Sequence, residues 1–244
     1  LRIKSAEFKF KQFAVYQPEG VFKIGTDAVL LGAWANFINP KQILDIGCGT
    51  GVIGLMLAQR FPEAKITAID PYVLHTKTTQ KNFKLSPFKN QFSVITTKIQ
   101  DFVTLQTYQN TFDCIVCNPP YFAQSLPSKT FVKNISRHQN QLSLNELFKA
   151  VNFLLHPNGT FSVILPFNHN SAYFRLAQSH NLFLKRICNV FSTVDATKPK
   201  RQLLEFSKHQ TGDLVNSPLY LQETEHRNYT THYKTLTREF YLKF

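Results

Sequence analysis

Between Gln42 and Ser207, strand-length apolar runs alternate with helix-length segments, and that rhythm restricts the chain to few architectures. The expected strands are Gln42–Ile46, Lys65–Asp70, Phe92–Thr96, Phe112–Cys117, Thr160–Pro166, Leu184–Ser192 and Arg201–Ser207. Between them fall an apolar helix Val52–Phe61, a helix opened by Pro71 and running to about Leu85, and helices Leu144–Leu155 and Ser171–His180. The stretch His156-Pro157-Asn158-Gly159 reads as a helix stop. Such alternation means a mostly parallel sheet with helices on both faces. The last two strands are joined by a connection too short for a parallel crossover, so one should run antiparallel. The expected fold is α/β: a doubly wound, mostly parallel seven-stranded sheet with one antiparallel strand and a short N-terminal extension. Residues 1–40 should supply a hairpin (8–24) and a helix from about Ala28 to Phe37, N-capped within Gly25-Thr26-Asp27 and packed on the core. Residues 41–244 should form the main domain, ending in a strand and an aromatic-tailed helix.

The first strand runs into Asp45-Ile46-Gly47-Cys48-Gly49-Thr50-Gly51 and then a helix. Glycines at alternate positions let the backbone turn sharply and approach a ligand. A dinucleotide fingerprint read from Gly47 would need glycine where Val52 stands, so no pyrophosphate-binding loop is present. The D-x-G-x-G-x-G form is typical of S-adenosylmethionine enzymes, with Asp45 facing the cofactor's amino-acid end. Asp70 closes the second strand, where a carboxylate can accept from both hydroxyls of a ribose; it could equally cap the next helix, and its position favours the ribose. Asp101 follows the third strand, where an adenine-contacting acid is expected. Aligned on that strand the acid would fall at Lys98, so Asp101 is either its substitute or a solvated loop acid.

Asn118-Pro119-Pro120-Tyr121 follows the fourth strand. Two prolines fix φ, remove two N–H donors and hold the preceding residue extended. The stiff turn presents an amide, unpaired carbonyl oxygens and an aromatic face, which suits a planar group carrying an NH2. An ordinary loop after a strand is the plainer alternative.

A formal net charge of +13, from 28 Lys and Arg against 15 acids, favours a polyanionic partner. The excess is spread along the chain and points to a broad basic face. The 23 Phe sit mostly at core-like positions. Cys114 and Cys117 lie at odd separation in one strand, hence on opposite faces, so neither a redox pair nor a zinc half-site is expected. The eight histidines show no ligand spacing, no apolar run reaches membrane-span length, and four scattered cysteines read as a reduced, cytoplasmic protein.

These motifs together resemble the class I, Rossmann-like, S-adenosylmethionine-dependent methyltransferases, in the branch whose Asn-Pro-Pro-Tyr turn methylates amino nitrogens. Three stretches carry a narrower resemblance: Phe8-Lys9-Phe10-Lys11-Gln12-Phe13, Phe22 through Trp34 with its Gly25-Thr26-Asp27-Ala28, and Leu57-Ala58-Gln59-Arg60. With the ending Tyr233-Lys234-x-Leu236-Thr237-x-Glu239-Phe240-Tyr241-Leu242, they resemble the bacterial tRNA1(Val) (adenine-N6)-methyltransferase family over nearly the whole chain. That resemblance implies methyl transfer from S-adenosyl-L-methionine, without a metal, to the adenine 3′ of the anticodon in a valine tRNA. It places Asn118, Pro119, Pro120 and Tyr121 at the reacting amine, and Thr26, Asp27, Asp45, Gly47, Gly49, Gly51, Asp70, Asp101 and Asn118 around the cofactor. Lys9, Lys11, Lys23, Lys129, Lys133, Arg137 and His138 are the expected RNA contacts, several from the long polar stretch 122–141. No obligate protein partner and no membrane are expected. The competing readings are a glutamine-N5 methyltransferase of release factors, which shares the turn, and a non-catalytic RNA-binding module.

Overall fold

In the computed structural model, which describes residues 7–89, 91–119, 142–167, 172–210, 212, 214–224 and 228–243, the chain opens with a hairpin, β1 (Glu7–Lys9) and β2 (Ala14–Tyr16), and helix α1 (Thr26–Trp34). The alternation then runs β3 (Gln42–Ile46), α2 (Val52–Arg60), β4 (Lys65–Asp70), α3 (Val73–Leu85), β5 (Phe92–Thr96), α4 (Ile99–Phe102) and β6 (Phe112–Cys117). After the stretch 120–141, which lies outside the described residues, come α5 (Leu144–Leu154), β7 (Leu155–Pro166), α6 (Ala172–Ser179), β8 (Phe183–Thr193), β9 (Arg201–Ser207), β10 (Val215–Gln222) and α7 (Thr231–Thr237).

The main sheet has the order β10-β8-β9-β7-β6-β3-β4-β5. Among the described residues, only β9 runs against its neighbours in this sheet, pairing antiparallel with both β7 and β8, as the short β8–β9 connection requires. Among the described residues the sheet holds eight strands, one more than the seven expected. Because β9 inserts between β7 and β8, the other edge of β8 is left open, and β10 pairs with it in parallel. From β3 the chain winds outward through β4 and β5, then returns to β6 on the other side of β3. The carboxyl ends of β3 and β6 therefore flank a topological switch point, the crevice where open α/β sheets bind ligands.

Strand alternation divides the core into two clusters, one per sheet face. Cys114 and Val116 of β6 join α1, α2 and Phe83 of α3 on one face. Ile115 and Cys117 join α4, α5 and α6 on the other. The two cysteines thus point apart. Helix α2 is apolar all round, with Val52 through Ala58 all buried, because α1 covers the side turned away from the sheet. The crossing is close at Gly32, where an added Cβ would stand 2.7 Å from Met56 Sδ. Arg60 completes it by donating to the C-terminal carbonyls of Gly32 (2.8 Å) and Ala35 (2.6 Å) of α1. Helix α5 starts at a capping box in which Ser143 and Glu146 satisfy each other's backbone N–H groups. It buries Leu147, Phe148, Ala150, Val151 and Leu154, a helical stripe.

One local expectation needs correction. Pro71 does not open α3: Tyr72 is the N-cap residue, and the Tyr72 N–H is taken by Asp70 Oδ1 at 3.0 Å. As expected, α5 stops ahead of His156-Pro157-Asn158-Gly159, and these residues belong to the extended start of β7, where Leu155 pairs with Phe112 before a register shift. The segment between β5 and β6 contains the short helix α4.

Candidate active site

Register places the principal residues side by side. Ile46 at the end of β3 pairs with Cys117 of β6 on one side and Ile69 of β4 on the other. The residues that follow, Asn118 after β6 and Asp70 at the end of β4, thus lie on the strands either side of the loop that begins at Gly47. With strands about 4.8 Å apart, the Asn118 and Asp70 backbones straddle the glycine loop at a separation of roughly 10 Å. Asn118 is half-buried and Pro119 buried. Pro120 and Tyr121 lie outside the described residues.

The loop is anchored by Gly47 and Cys48 N–H groups donating to Ile69 O at 2.9 and 3.1 Å, and by Gly51 N–H donating to Cys48 O at 2.7 Å. Its glycines serve two purposes. Gly51, the N-cap residue of α2, has φ +78°, and a Cβ there would stand 2.8 Å from Thr79 Cγ2, so it allows α3 to approach. Gly47 and Gly49, also left-handed, have nothing within 4 Å of the Cβ position. Their bare backbone faces open space, which is what a ligand cradle requires.

Asp45 is fully buried beneath this loop. Its Oδ2 accepts from Gly54 N–H at 3.2 Å, while Oδ1 has no hydrogen-bond partner among the described residues. Burial raises its pKa from 3.8 to about 7; the Gly54 N–H opposes the rise and the nearby Asp70 charge adds to it. An orphaned acceptor in a dry site fits a cationic partner such as the ammonium of an amino acid. Asp70, also buried, accepts from Gly49 N–H on Oδ2 (3.1 Å) and from Tyr72 N–H and His75 Nδ1 on Oδ1 (both 3.0 Å).

Sequence reasoning missed the support beneath the loop. His75, Thr79 and Asn82 recur at i, i+4 and i+7 on α3 and are all buried. His75 holds Asp70, and Thr79 Oγ1 donates to Gly49 O at 3.1 Å. Asn82 donates to Thr50 O (2.8 Å) and Tyr16 O (3.0 Å) and accepts from Tyr16 N–H (2.9 Å), tying β2 to the loop. Their spacing was the available signal.

Other expected residues lie on neighbouring elements. Asp101 and Lys98 are both exposed at the start of α4. Thr26 is exposed at the first position of α1, and Asp27 is engaged by Arg201 at 2.9 Å. Arg201 pairs with Pro166 at the carboxyl end of β7, so this ion pair lies on the active-site edge of the sheet, on the strand beyond the neighbour of β6. Lys9, Lys11 and Lys23 are exposed; Lys11 Nζ donates to Arg238 O. Lys9 and Lys243 rim a cavity of about 630 Å³ walled by Phe8, Tyr229 and Tyr241, away from the glycine loop. Lys129, Lys133, Arg137 and His138 lie outside the described residues. Among the described residues, no group of three or more His, Cys, Asp or Glu gathers to hold a metal, and no helix is long and apolar enough to cross a membrane. Burial pushes the Cys48, Cys114 and Cys117 thiols well above their ordinary value, so they remain neutral core groups.

Two buried carboxylates thus bind the backbone of the glycine loop and of the helix it opens, and Asn118 follows the strand beside them at the switch point. The methyltransferase small domain family matches residues 13–164, a span that includes the loop, Asp70 and Asn118. A tRNA1(Val) (adenine(37)-N6)-methyltransferase of Haemophilus influenzae is 40% identical, over 98% of this chain and 100% of that protein. The chain belongs to this methyltransferase family. Its Bacteroides thetaiotaomicron member is 38% identical, over 96% of this chain and 97% of that protein. The fold is shared more widely: the crystal structure of a predicted O-methyltransferase from Agrobacterium tumefaciens superposes with a TM-score of 0.65 at 18% identity, covering 88% of this chain and 96% of that one.

Proposed function

We infer that the chain methylates the exocyclic N6 of adenine 37 in a valine tRNA, using S-adenosyl-L-methionine and no metal. The observation that supports this reading is the register in which Ile46 ends β3 beside Cys117 and Ile69, so that Asn118 follows on one side of the glycine loop and Asp70 stands on the other, with the orphaned carboxylate oxygen of Asp45 on the strand between them. The residues present fit the cofactor. Asp45 would take its ammonium, the open faces of Gly47 and Gly49 its chain, and Asp70 its ribose. When bound, it supplies an electrophilic methyl group on a sulfonium.

The protein's own contribution is positioning and electrostatics. Adenine's amine is a poor nucleophile because its lone pair is delocalised into the ring. Acceptance of its two hydrogens by the Asn118 side-chain oxygen and the Pro119 carbonyl favours a pyramidal nitrogen with the lone pair available. Pro120 stiffens the turn, and Tyr121 stacks on the base once it has left its own stack. An anticodon-loop base is already partly unpaired, which lowers that cost.

Lys9, Lys11, Lys23, Lys129, Lys133, Arg137 and His138 make up the basic face that grips the tRNA phosphates, Thr26 and Asp27 border the cofactor, and Asp101 approaches the adenine end. Residues 1–40 act as an extension packed on the catalytic domain of residues 41–244. The enzyme works in the cytoplasm without an obligate protein partner. Incubation with S-adenosyl-L-methionine and unmodified tRNA, followed by nucleoside mass spectrometry, should yield N6-methyladenosine. Methylation of a release-factor glutamine, with none of tRNA, would overturn the reading.

A further inference from the structure

A carboxylate offers four in-plane acceptor positions, two on each oxygen. On Asp70 three are filled: Oδ1 accepts from Tyr72 N–H and His75 Nδ1 at 3.0 Å each, and Oδ2 accepts from Gly49 N–H at 3.1 Å. Two of these donors are backbone groups, fixed by the glycine loop and the start of α3. An ionised carboxylate can only accept, so with Asp70 ionised the proton of the third bond sits on His75 Nδ1. The imidazole is not a loosely placed group. Its side chain is 9% exposed, on a helix residue, and the rings of Tyr72 and Phe22 meet it edge-on at 5.1 and 6.0 Å. Recognition of a ribose by one hydroxyl on each carboxylate oxygen needs a vacancy on both oxygens. Here Oδ1 has none while His75 stays, and Oδ2 has one.

We propose that His75 is a positioning residue that restricts Asp70 to a single ribose hydroxyl, bound through Oδ2. Its hydrogen bond fixes the carboxylate before the ligand arrives and removes the second acceptor that a diol would otherwise use. This rests on the cofactor reading given above and adds to it which part of the ribose the protein reads through Asp70.

The test is calorimetric binding of S-adenosylhomocysteine and its 2′-deoxy and 3′-deoxy analogues to the full chain. For the unaltered protein, one deoxy analogue should bind nearly as well as the parent, and the other should weaken about tenfold. In His75→Phe, the vacated Oδ1 accepts the second hydroxyl, so the tolerated analogue should now also lose affinity relative to the parent. His75→Asn, whose amide N–H can stand in for Nδ1–H, should restore the one-sided pattern. Equal losses for both analogues in the unaltered protein would overturn the proposal without any variant, as would a one-sided pattern that persists in folded His75→Phe. Failure of the unaltered chain to bind the parent nucleoside at all would instead remove the cofactor reading, and this proposal with it.

Discussion

Replacing Asp45 by asparagine should stabilise the free protein while destroying its use for the cofactor. Burial holds the Asp45 pKa at about 7, against 3.8 for the group in water, so the native state keeps a proton that the unfolded chain releases. Between these values the native state binds more protons, and stability falls as pH rises. The difference of about three units corresponds to about 4 kcal/mol, lost progressively from about pH 4 to pH 7 and constant above that. The asparagine amide would mimic the neutral acid: its side-chain oxygen can still accept from Gly54 N–H, and it never ionises. Urea denaturation of both proteins at pH 5, 6, 7 and 8 should show the advantage of Asp45→Asn growing by about 3 kcal/mol across that range, nearly all of it below pH 7. Cofactor binding should be lost in the same variant, because no ionised oxygen is left to meet an ammonium. A stability difference independent of pH would refute the argument that Asp45 is a desolvated, unpaired acid.

Asn118→Ala should lower kcat on the order of 100-fold while leaving S-adenosylhomocysteine affinity within a few-fold, because its contacts are to the acceptor amine; comparison of single-turnover rates with calorimetry checks this. Gly51→Ala and Gly49→Ala should separate stability from binding. Both sites are left-handed, so each alanine carries backbone strain of about 1–2 kcal/mol; Gly51→Ala adds a clash 2.8 Å from Thr79 and should cost about 1–3 kcal/mol more than Gly49→Ala in urea denaturation, whereas Gly49→Ala meets open space and should in addition weaken cofactor binding. Lys9→Ala with Lys23→Ala should reduce the salt slope of tRNA binding by roughly 0.7–0.9 for each phosphate the protein no longer neutralises; an unchanged slope would reduce these lysines to solvated surface groups.

The fold was legible because strand and helix periods do not overlap: β3 through β6 and β9 fall within a residue of where the apolar runs place them. The eighth strand was harder to count, since the place of β10 depends on β9 having slipped between β7 and β8, a pairing no local pattern encodes. Asp45, the three glycines, Asp70 and Asn118 were readable as motifs because each sits within a few residues of a strand end. The underside of the site was not. His75, Thr79 and Asn82 are polar helix residues, and polarity on a helix ordinarily marks the solvent side. Here they turn inward because the loop's carbonyls and the Asp70 carboxylate need partners away from water. The Asp27–Arg201 pair joins residues 174 positions apart, beyond the reach of any spacing argument.

The central claim is the atom that receives the methyl group. An unmodified valine tRNA transcript should be incubated with the protein and S-adenosyl-L-methionine, digested, and its nucleosides and fragments resolved by mass spectrometry. N6-methyladenosine should appear at position 37 and nowhere else, and should vanish when that adenine is replaced by guanine. Methyl incorporation that survives the replacement, or a methyladenosine carrying its methyl on a ring nitrogen, would contradict the role assigned here to Asn118 and its turn.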